Sequence, residues 1–572
     1  MSDLRWYGWG FADKTYLLDH RPNAWGFLRS VLALRGDESF LARDFNSIRL
    51  RAPRLTDEQL VALRQIVAET RTDTRTRVLH AYGKSYRDLV RLRRGDIPNP
   101  PDAVAYPATE DQVARVLSYC AQNEIALIPF GGGSSVVGGV ESRDDRGRHG
   151  ERVTISLDLA RLNRIVSVDE TSQTATIEAG IFGPELEREL NTRGLTLSHF
   201  PQSFEFSTLG GWIATRGAGL TSTGYGKIEA MTQSVRVVTP RGVIETRDTP
   251  ATAAGSSLLQ LLAGSEGTLG VITRATMRVR ELPKTKNYRA VLFKSFANGL
   301  AAIRAMMQSG VVPTTVRLSD EDETRSFFSL REQSQGWNAF VQNLGLRFIN
   351  ARGYSFEQGA LMILGVEGDP SITLRVASAA RAVCQAHGAF DLGAGIAQSW
   401  LRDRYETPYL RDVLMDRGVL VDTLETATTW ENLVRLHKAL SQVIADATAS
   451  TGSKALVMTH VSHCYRDGAS LYVTFLARMA SGKEIEQWET IKRAATECIV
   501  TNGGTLSHHH GIGYEHAPWL ERENGQVGMD ALKALKSALD PNNIMNPGKW
   551  LEAEPSTVDL ALEYQERFWN LP

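Results

Sequence analysis

The sequence predicts a multi-domain α+β protein, and three observations carry that reading. From about residue 100 onward, short apolar runs alternate with stretches of helical periodicity. A run of glycines stands directly behind one of the β-like runs, Ile125 to Phe130. The chain has 572 residues, more than one hydrophobic core organises, which calls for roughly two to four structural units.

Residues 1–99 read as a helical amino-terminal region. Within it Thr56 caps TDEQLVALRQIVAE, where Leu60, Leu63 and Ile66 recur at helical spacing. Pro98, Pro100, Pro101 and Pro107 then break helices and set a boundary near residue 100. Residues 100–283 form an α+β domain: a helix at EDQVARVLSYCAQNE, and strands at DAVAYP, IALIPF, RVTISLD, TATIEAG, VRVVTP, GVIETR and GVITRATMRVR. Residues 284–500 carry longer helical patterns (ANGLAAIRAMMQSG, ITLRVASAARAVCQAHG, WENLVRLHKALSQVIADATA) separated by KALVMTHVSH and ASLYVTFLAR. They predict a second α/β unit that caps the first. Residues 501–572 end in GMDALKALKSALDPNNIMNPGKW, a helix stopped by Pro541.

Composition excludes several classes. Sixty-four basic against 65 acidic residues leave a net charge of −1, so no nucleic-acid partner is expected. Cys120, Cys384, Cys464 and Cys498 form no CxxC pair, which suits a reducing compartment. No apolar run approaches the ~18 residues that span a bilayer. The opening RWYGWGF…TYLLDHRPNAWGFLRSVLALRG mixes Trp, Tyr, Leu and Arg, a composition that serves a membrane interface or, equally, a packed amino-terminal helix.

Three glycine-rich segments carry the chemistry. In PFGGGSSVVGGV, residues 129–140, consecutive glycines let backbone amides converge on an anion, and Ser134 and Ser135 add hydroxyls; a diphosphate fits there, and so does a plain turn. The spacing is neither GxGxxG nor GxxxxGK[ST], which removes the best support for nicotinamide or nucleotide-hydrolase readings. PQSFEFSTLGGWIATRGAGLTSTGYGKIEAM and GSEGTLGVIT follow at residues 201–231 and 264–273.

Together with the terminal DPNNIMNPGKW, these segments resemble the PCMH-type FAD-binding fold of the vanillyl-alcohol oxidase and p-cresol methylhydroxylase superfamily. The resemblance covers residues from about 100 to the end. It implies a PCMH-type FAD-binding domain of two α+β subdomains, an α/β cap domain, and helical amino- and carboxyl-terminal segments. It places Pro129, Gly131, Gly132, Gly133, Ser134 and Ser135 at the pyrophosphate. Pro201, Ser203, Ser207, Thr208, Thr215 and Arg216 would flank the flavin, and Glu266, Gly267, Thr268, Gly270 and Ile272 would meet it from the second subdomain. Neither His nor Cys occurs in residues 129–140 or 264–273, so noncovalent FAD is expected.

A narrower resemblance comes from TSTGYGKIE, PYLRDVLMDRGVLVDTLETATTW, HVSHCYRDGASLY and NGGTLSHHHGIG, which are similar to the alkylglycerone-phosphate synthases. That family exchanges the acyl chain of acyl-dihydroxyacetone phosphate for a long-chain fatty alcohol through a flavin N5 adduct, with no net redox change. The resemblance implies Tyr465 as the acid–base residue, Arg411 as a substrate anchor, and Arg317 near the flavin edge as a second substrate contact. It also implies His508, His509 and His510 as phosphate and proton partners. A phenol of ordinary pKa ~10 would need lowering by cations, which Arg411 and the histidines are expected to supply. His80 is within the sequence's reach of the flavin, although a structural, hydrogen-bonded role suits it as well. The family also implies lipid substrates and homodimers, with peripheral membrane contact.

No metal site is expected. Three successive histidines do not all face one ion on a strand or helix. In relatives that oxidise 2-hydroxy acids a motif HxGDGNxH holds an ion; here Leu471 stands for its second histidine, and His460 and His463 are expected on opposite faces of a strand. The chain starts MSDLRWYGWG and ends WNLP, with no evident import segment or SKL-type tripeptide, so a cytoplasmic place on the inner membrane face is expected. The rival function is an FAD dehydrogenase or oxidase of a 2-hydroxy acid.

Overall fold

The computed structural model describes residues 4–142, 152–330 and 346–551, apart from residues 17, 19, 20 and 22. The terminal WNLP lies outside them. Three large sheets and one two-stranded pair, Leu195–Thr196 with Arg280–Glu281, organise the described residues.

The first sheet orders four strands as Thr70–Arg71, Ala103–Ala105, Thr154–Asp158 and Ala126–Phe130, the last called β1. Thr70–Arg71 belongs to the region expected to be helical, yet it pairs antiparallel with Ala103–Ala105. Helix 57–66 precedes it as expected, closed by a capping box in which Gln59 answers Thr56. Strand β1 lies at the sheet edge, where Pro129 removes no ladder hydrogen bond. Its other flank is covered by the carboxyl-terminal segment: the Leu127 amide donates to the Ile544 carbonyl at 2.7 Å and the Asn546 amide to the Leu127 carbonyl at 2.8 Å.

The second sheet is antiparallel, in the order Ile165–Asp169, Thr174–Glu178, Val271–Arg278, Thr232–Thr239, Gly242–Glu245. Ile177, Val235, Val237, Ala275 and Met277 from it pack on Leu186, Leu190, Trp212 and Ile213. The DPNNIMNPGKW turn ties the two glycine-loop regions together. Lys536 donates to the Thr268 carbonyl (2.8 Å), Asp540 (2.6 Å) and the Met545 carbonyl (2.7 Å), while Asn546 donates to the Gly139 (2.9 Å) and Glu266 (2.7 Å) carbonyls.

The cap is a seven-stranded antiparallel sheet whose last three strands are Ala455–Val461, Gly468–Arg478 and Val419–Thr429 in spatial order. In chain order these are β2 (Val419–Thr429), β3 (Ala455–Val461) and β4 (Gly468–Arg478). Helix α1, Ala24–Leu32, buries Leu28 and Leu32 against Val419, Val421, Leu456 and Leu476 of this sheet. Each such leucine contributes about 1.5–3 kcal/mol. The buried face of this helix is therefore turned to the cap. No helix among the described residues is long and apolar enough to cross a membrane.

Candidate active site

A cavity of about 410 Å³ lies where the glycine loops of the first two sheets meet the cap sheet, and its size falls in the range of small-molecule sites. Its flavin-side wall includes Pro129, Gly131, Gly132, Gly133, Ser134 and Ser135, then Pro201, Ser203, Thr208 and Thr215, then Glu266, Gly267, Gly270 and Ile272. Ser207, Arg216 and Thr268 lie behind that wall and hold the loops' backbone. Ser207 accepts from the Trp212 indole at 2.7 Å, Arg216 donates to the Ala263 carbonyl at 3.0 Å, and Thr268 donates to the Ser265 carbonyl at 2.7 Å.

The residues present fit an FAD diphosphate. Gly132 must be glycine, since a Cβ there would meet the Phe206 carbonyl oxygen at 1.9 Å. This close packing brings the strand-to-loop backbone to the cavity edge. Among the described residues nothing accepts from the amides of Gly131, Gly132, Gly133 or Ser134. Amide donors at a cavity wall without protein acceptors are what an anion needs.

The cap-side wall follows from strand register. Val421 stands opposite Leu476, Thr423 opposite Thr474, and Glu425 opposite Tyr472, while β3 sets Met458 beside Thr474 and His460 beside Tyr472. Residues two apart share a face, so this face reads apolar (Val421, Leu476), then hydroxyl (Thr423, Thr474) with Met458 beside it, then polar over about 13 Å. Leu330, Leu410 and Leu414 extend the apolar end.

At the polar end the rings stack in order: His460 on Tyr472 (centroids 4.8 Å) and Tyr472 on His509 (5.9 Å). Arg317 donates to His460 Nε2 at 3.0 Å, which leaves the imidazole proton on Nδ1, donated to Glu323 at 2.9 Å. Arg411, on helix α2 (Thr407–Asp416), lines the cavity while anchored to the Lys84 carbonyl (2.9 Å) and Asp422 (3.3 Å). Arg317, Arg411, His509 and His510 all reach the cavity wall, as do His460 and His463.

Tyr465 and His508 lie one layer behind it. The Tyr465 hydroxyl meets His508 Nε2 at 2.5 Å, and His508 Nδ1 meets His509 Nδ1 at 3.0 Å. This corrects the expected titration of Tyr465. Burial first, then the nearby acids Glu229, Glu425 and Asp467, push its phenol up, not down. Arg411 is committed to Asp422, and burial holds His508 and His509 well below the ordinary imidazole value, so neither supplies the expected positive charge.

The expected divergence of the histidines is also corrected. His463 lies past the end of β3, so strand alternation does not govern it, and its ring stacks on His508 at 5.1 Å. His463, His508 and His509 offer ring nitrogens within 4.8 Å of one another. The Lys227 ammonium donates to the His508 carbonyl at 2.5 Å and opposes further positive charge on all three rings. Lys227, half-buried and paired with Glu229 at 3.2 Å, sets a cation beside the cluster, which suits an anion better than a metal ion. Sequence reasoning passed over Lys227, Glu425, Tyr472 and Trp9, which also lines the cavity. His80 takes the structural role, bonding Asp158 at 3.0 Å and the Thr76 carbonyl at 2.8 Å. Cys464 is a buried free thiol, pushed up to about 12 by burial.

Comparisons with known proteins agree with this geometry. Residues 101–247 match the FAD binding domain family and residues 282–550 the C-terminal domain of FAD linked oxidases. The chain is 37% identical to the alkyldihydroxyacetonephosphate synthase of Trypanosoma brucei brucei, over 99% of this chain and 95% of that one. It belongs to the alkyldihydroxyacetonephosphate synthase family. The synthase of Dictyostelium discoideum is 34% identical, over 96% of this chain and 93% of its own. A solved alkyldihydroxyacetonephosphate synthase superposes with a TM-score of 0.81 at 32% identity, covering 95% of this chain and 98% of that one. p-Cresol methylhydroxylase, at 13% identity and a TM-score of 0.67 over 88% of this chain and 98% of its own, shares the fold. The protein is thus an FAD-dependent enzyme of the synthase family, with a PCMH-type fold.

Proposed function

We propose that this synthase-family enzyme makes the ether bond of ether lipids. It exchanges the acyl chain of an acyl-dihydroxyacetone phosphate for a long-chain fatty alcohol and releases a fatty acid. The observation that carries this reading is the single face of the cap sheet that runs from Val421, Leu476 and Met458 to Tyr472, His460 and the histidine loop. A substrate with a phosphate at one end and an aliphatic chain at the other matches that run. Apolar chain burial contributes ~0.8 kcal/mol per methylene.

Gly131 to Ser134 would hold FAD at its diphosphate, and the bound cofactor would supply a ring nitrogen able to bond carbon. The chain's own residues orient the substrate and move protons. His509, His510 and Arg411 face the phosphate end. Tyr465, His508 and His509 form a hydrogen-bonded wire from the phenol to the cavity, each neutral at rest. At rest Tyr465 donates to His508 Nε2 and His508 Nδ1–H to His509. Passing one proton to substrate at the His509 end moves each proton along by one site and leaves a transient Tyr465 phenolate; a proton taken back at the same end restores the phenol. Substrates of this kind partition to bilayers, which supports peripheral residence on the cytoplasmic face of a membrane, and the family's homodimers extend to this chain on the same reading.

The test is direct. The FAD-loaded protein is incubated with palmitoyl dihydroxyacetone phosphate and labelled hexadecanol. Labelled alkyl product with one palmitate released per turnover is expected; release of palmitate without ether product, or no reaction, sinks the reading.

A further inference from the structure

The histidine loop is gripped by two carboxylates from opposite sides of the cavity. Glu425, on β2 and 3% exposed, accepts from the Ser507 hydroxyl (2.7 Å) and from the amides of His508 (2.6 Å), His509 (3.1 Å) and His510 (2.9 Å). Glu266, in the GSEGTLG loop of the FAD domain, accepts from the amides of Ile512 (2.7 Å) and Gly513 (2.9 Å). Consecutive inward amides ordinarily make an anion-binding concavity. Here a protein carboxylate already fills it.

We propose that Glu425 and Glu266 are paired positioning residues that clamp Ser507 to Gly513 between cap and FAD domain. By occupying the loop's amides, Glu425 leaves only ring nitrogens of the histidines to receive a phosphate. That last clause rests on the functional reading above; the clamp does not. Glu425 is not a candidate base, since its oxygens are taken by the four donors and it does not line the cavity. Burial alone would push its carboxyl up, but the donors that surround it, the Ser507 hydroxyl among them, reverse this and hold it well below the ordinary range. The glycine after the histidines has its reason here too. Gly511 sits at φ +88°, and a Cβ on it would come within 3.0 Å of the Glu266 carboxylate.

Hydrogen exchange on the full-length FAD-loaded protein tests the clamp independently of turnover. In Glu425→Gln the amides of His508 to His510 should exchange roughly tenfold faster or more, as loss of charge-assisted hydrogen bonds requires, with Ile512 and Gly513 less affected. Glu266→Gln should show the reverse, and Glu425→Gln should keep FAD. Unchanged exchange in both segments overturns the proposal. Glu425→Ala should also raise KM for the phosphorylated substrate more than it lowers kcat, and added formate, which fits the vacated carboxylate site, should restore KM in part. A variant with normal KM and no formate response overturns the positioning role. If Glu425→Ala does not fold, the isosteric glutamine carries the exchange and KM readouts. Absence of ether product in the wild type would sink the functional reading and leave the exchange pattern standing.

Discussion

The flavin side of the cavity is built from backbone, and the cap side from side chains. On the flavin side, glycines at the end of β1 bring amides to the cavity edge, and the second and third glycine segments stand beside them. On the cap side, Glu425, Tyr472, His460 and the histidine loop come from segments far apart in sequence and meet only because three strands pair in one register. Backbone sites demand residue types that read as contiguous motifs. Side-chain sites demand only that distant positions share a face.

That contrast can be broken or sharpened by substitution. The largest effect is expected from Gly132→Val, whose side chain would be driven into the Phe206 carbonyl. Overpacking of this kind costs about 1–3 kcal/mol or more, and here it falls on the diphosphate loop itself. Purified variant should lack the yellow flavin spectrum; full FAD occupancy would break the assignment of that loop. Next is Tyr465→Phe, which cuts the wire at its 2.5 Å link to His508. Turnover should fall about 100-fold or more while FAD stays bound, so the cap side is expected to lose chemistry without losing cofactor. A variant that loses both would erase the division between the two walls.

Glu515 gives a pH-dependent test next to the histidine loop. Both its carboxylate oxygens are buried and lack a partner among the described residues, and burial above all pushes its carboxyl from the ordinary 4.5 up to about 8. A raised carboxyl pKa contributes stability that is complete below the unfolded value and is lost as pH rises through the folded one. Glu515→Gln removes that dependence. Its melting temperature relative to wild type should therefore improve between about pH 5 and about pH 8.5; a difference that stays constant or falls would contradict the burial. The smallest effect is expected for Arg216→Met. Its guanidinium holds the Ala263 and Gln260 carbonyls from behind the wall, so FAD affinity should weaken by less than about tenfold in a fluorescence titration.

The same contrast governs what could be read in advance. The strands around the glycine loops, the cap and the returning terminal segment were legible because periodicity and turn residues are local. Ser207, Arg216 and Thr268 were read as flavin contacts, since a motif marks a loop without saying which members face inward. Lys227 and Glu425 were missed because their partners stand 281 and 83 positions away. One local signal for Glu425 was present. In VLVDTLETATT two acids interrupt an otherwise buried strand, and a charge inside such a strand must be answered by donors from elsewhere. The upward push on Tyr465 was illegible because it depends on the acids of other segments.

The proposed function requires that the bound flavin bond carbon beside the histidine loop and take no hydride from a hydroxy acid. The most direct measurement is anaerobic mixing of the FAD-loaded protein with D-lactate or glycolate, following the flavin band near roughly 450 nm. The band should persist with either acid, while the same preparation yields ether product from the phosphorylated lipid and alcohol. Rapid, complete bleaching by a hydroxy acid would contradict the claim.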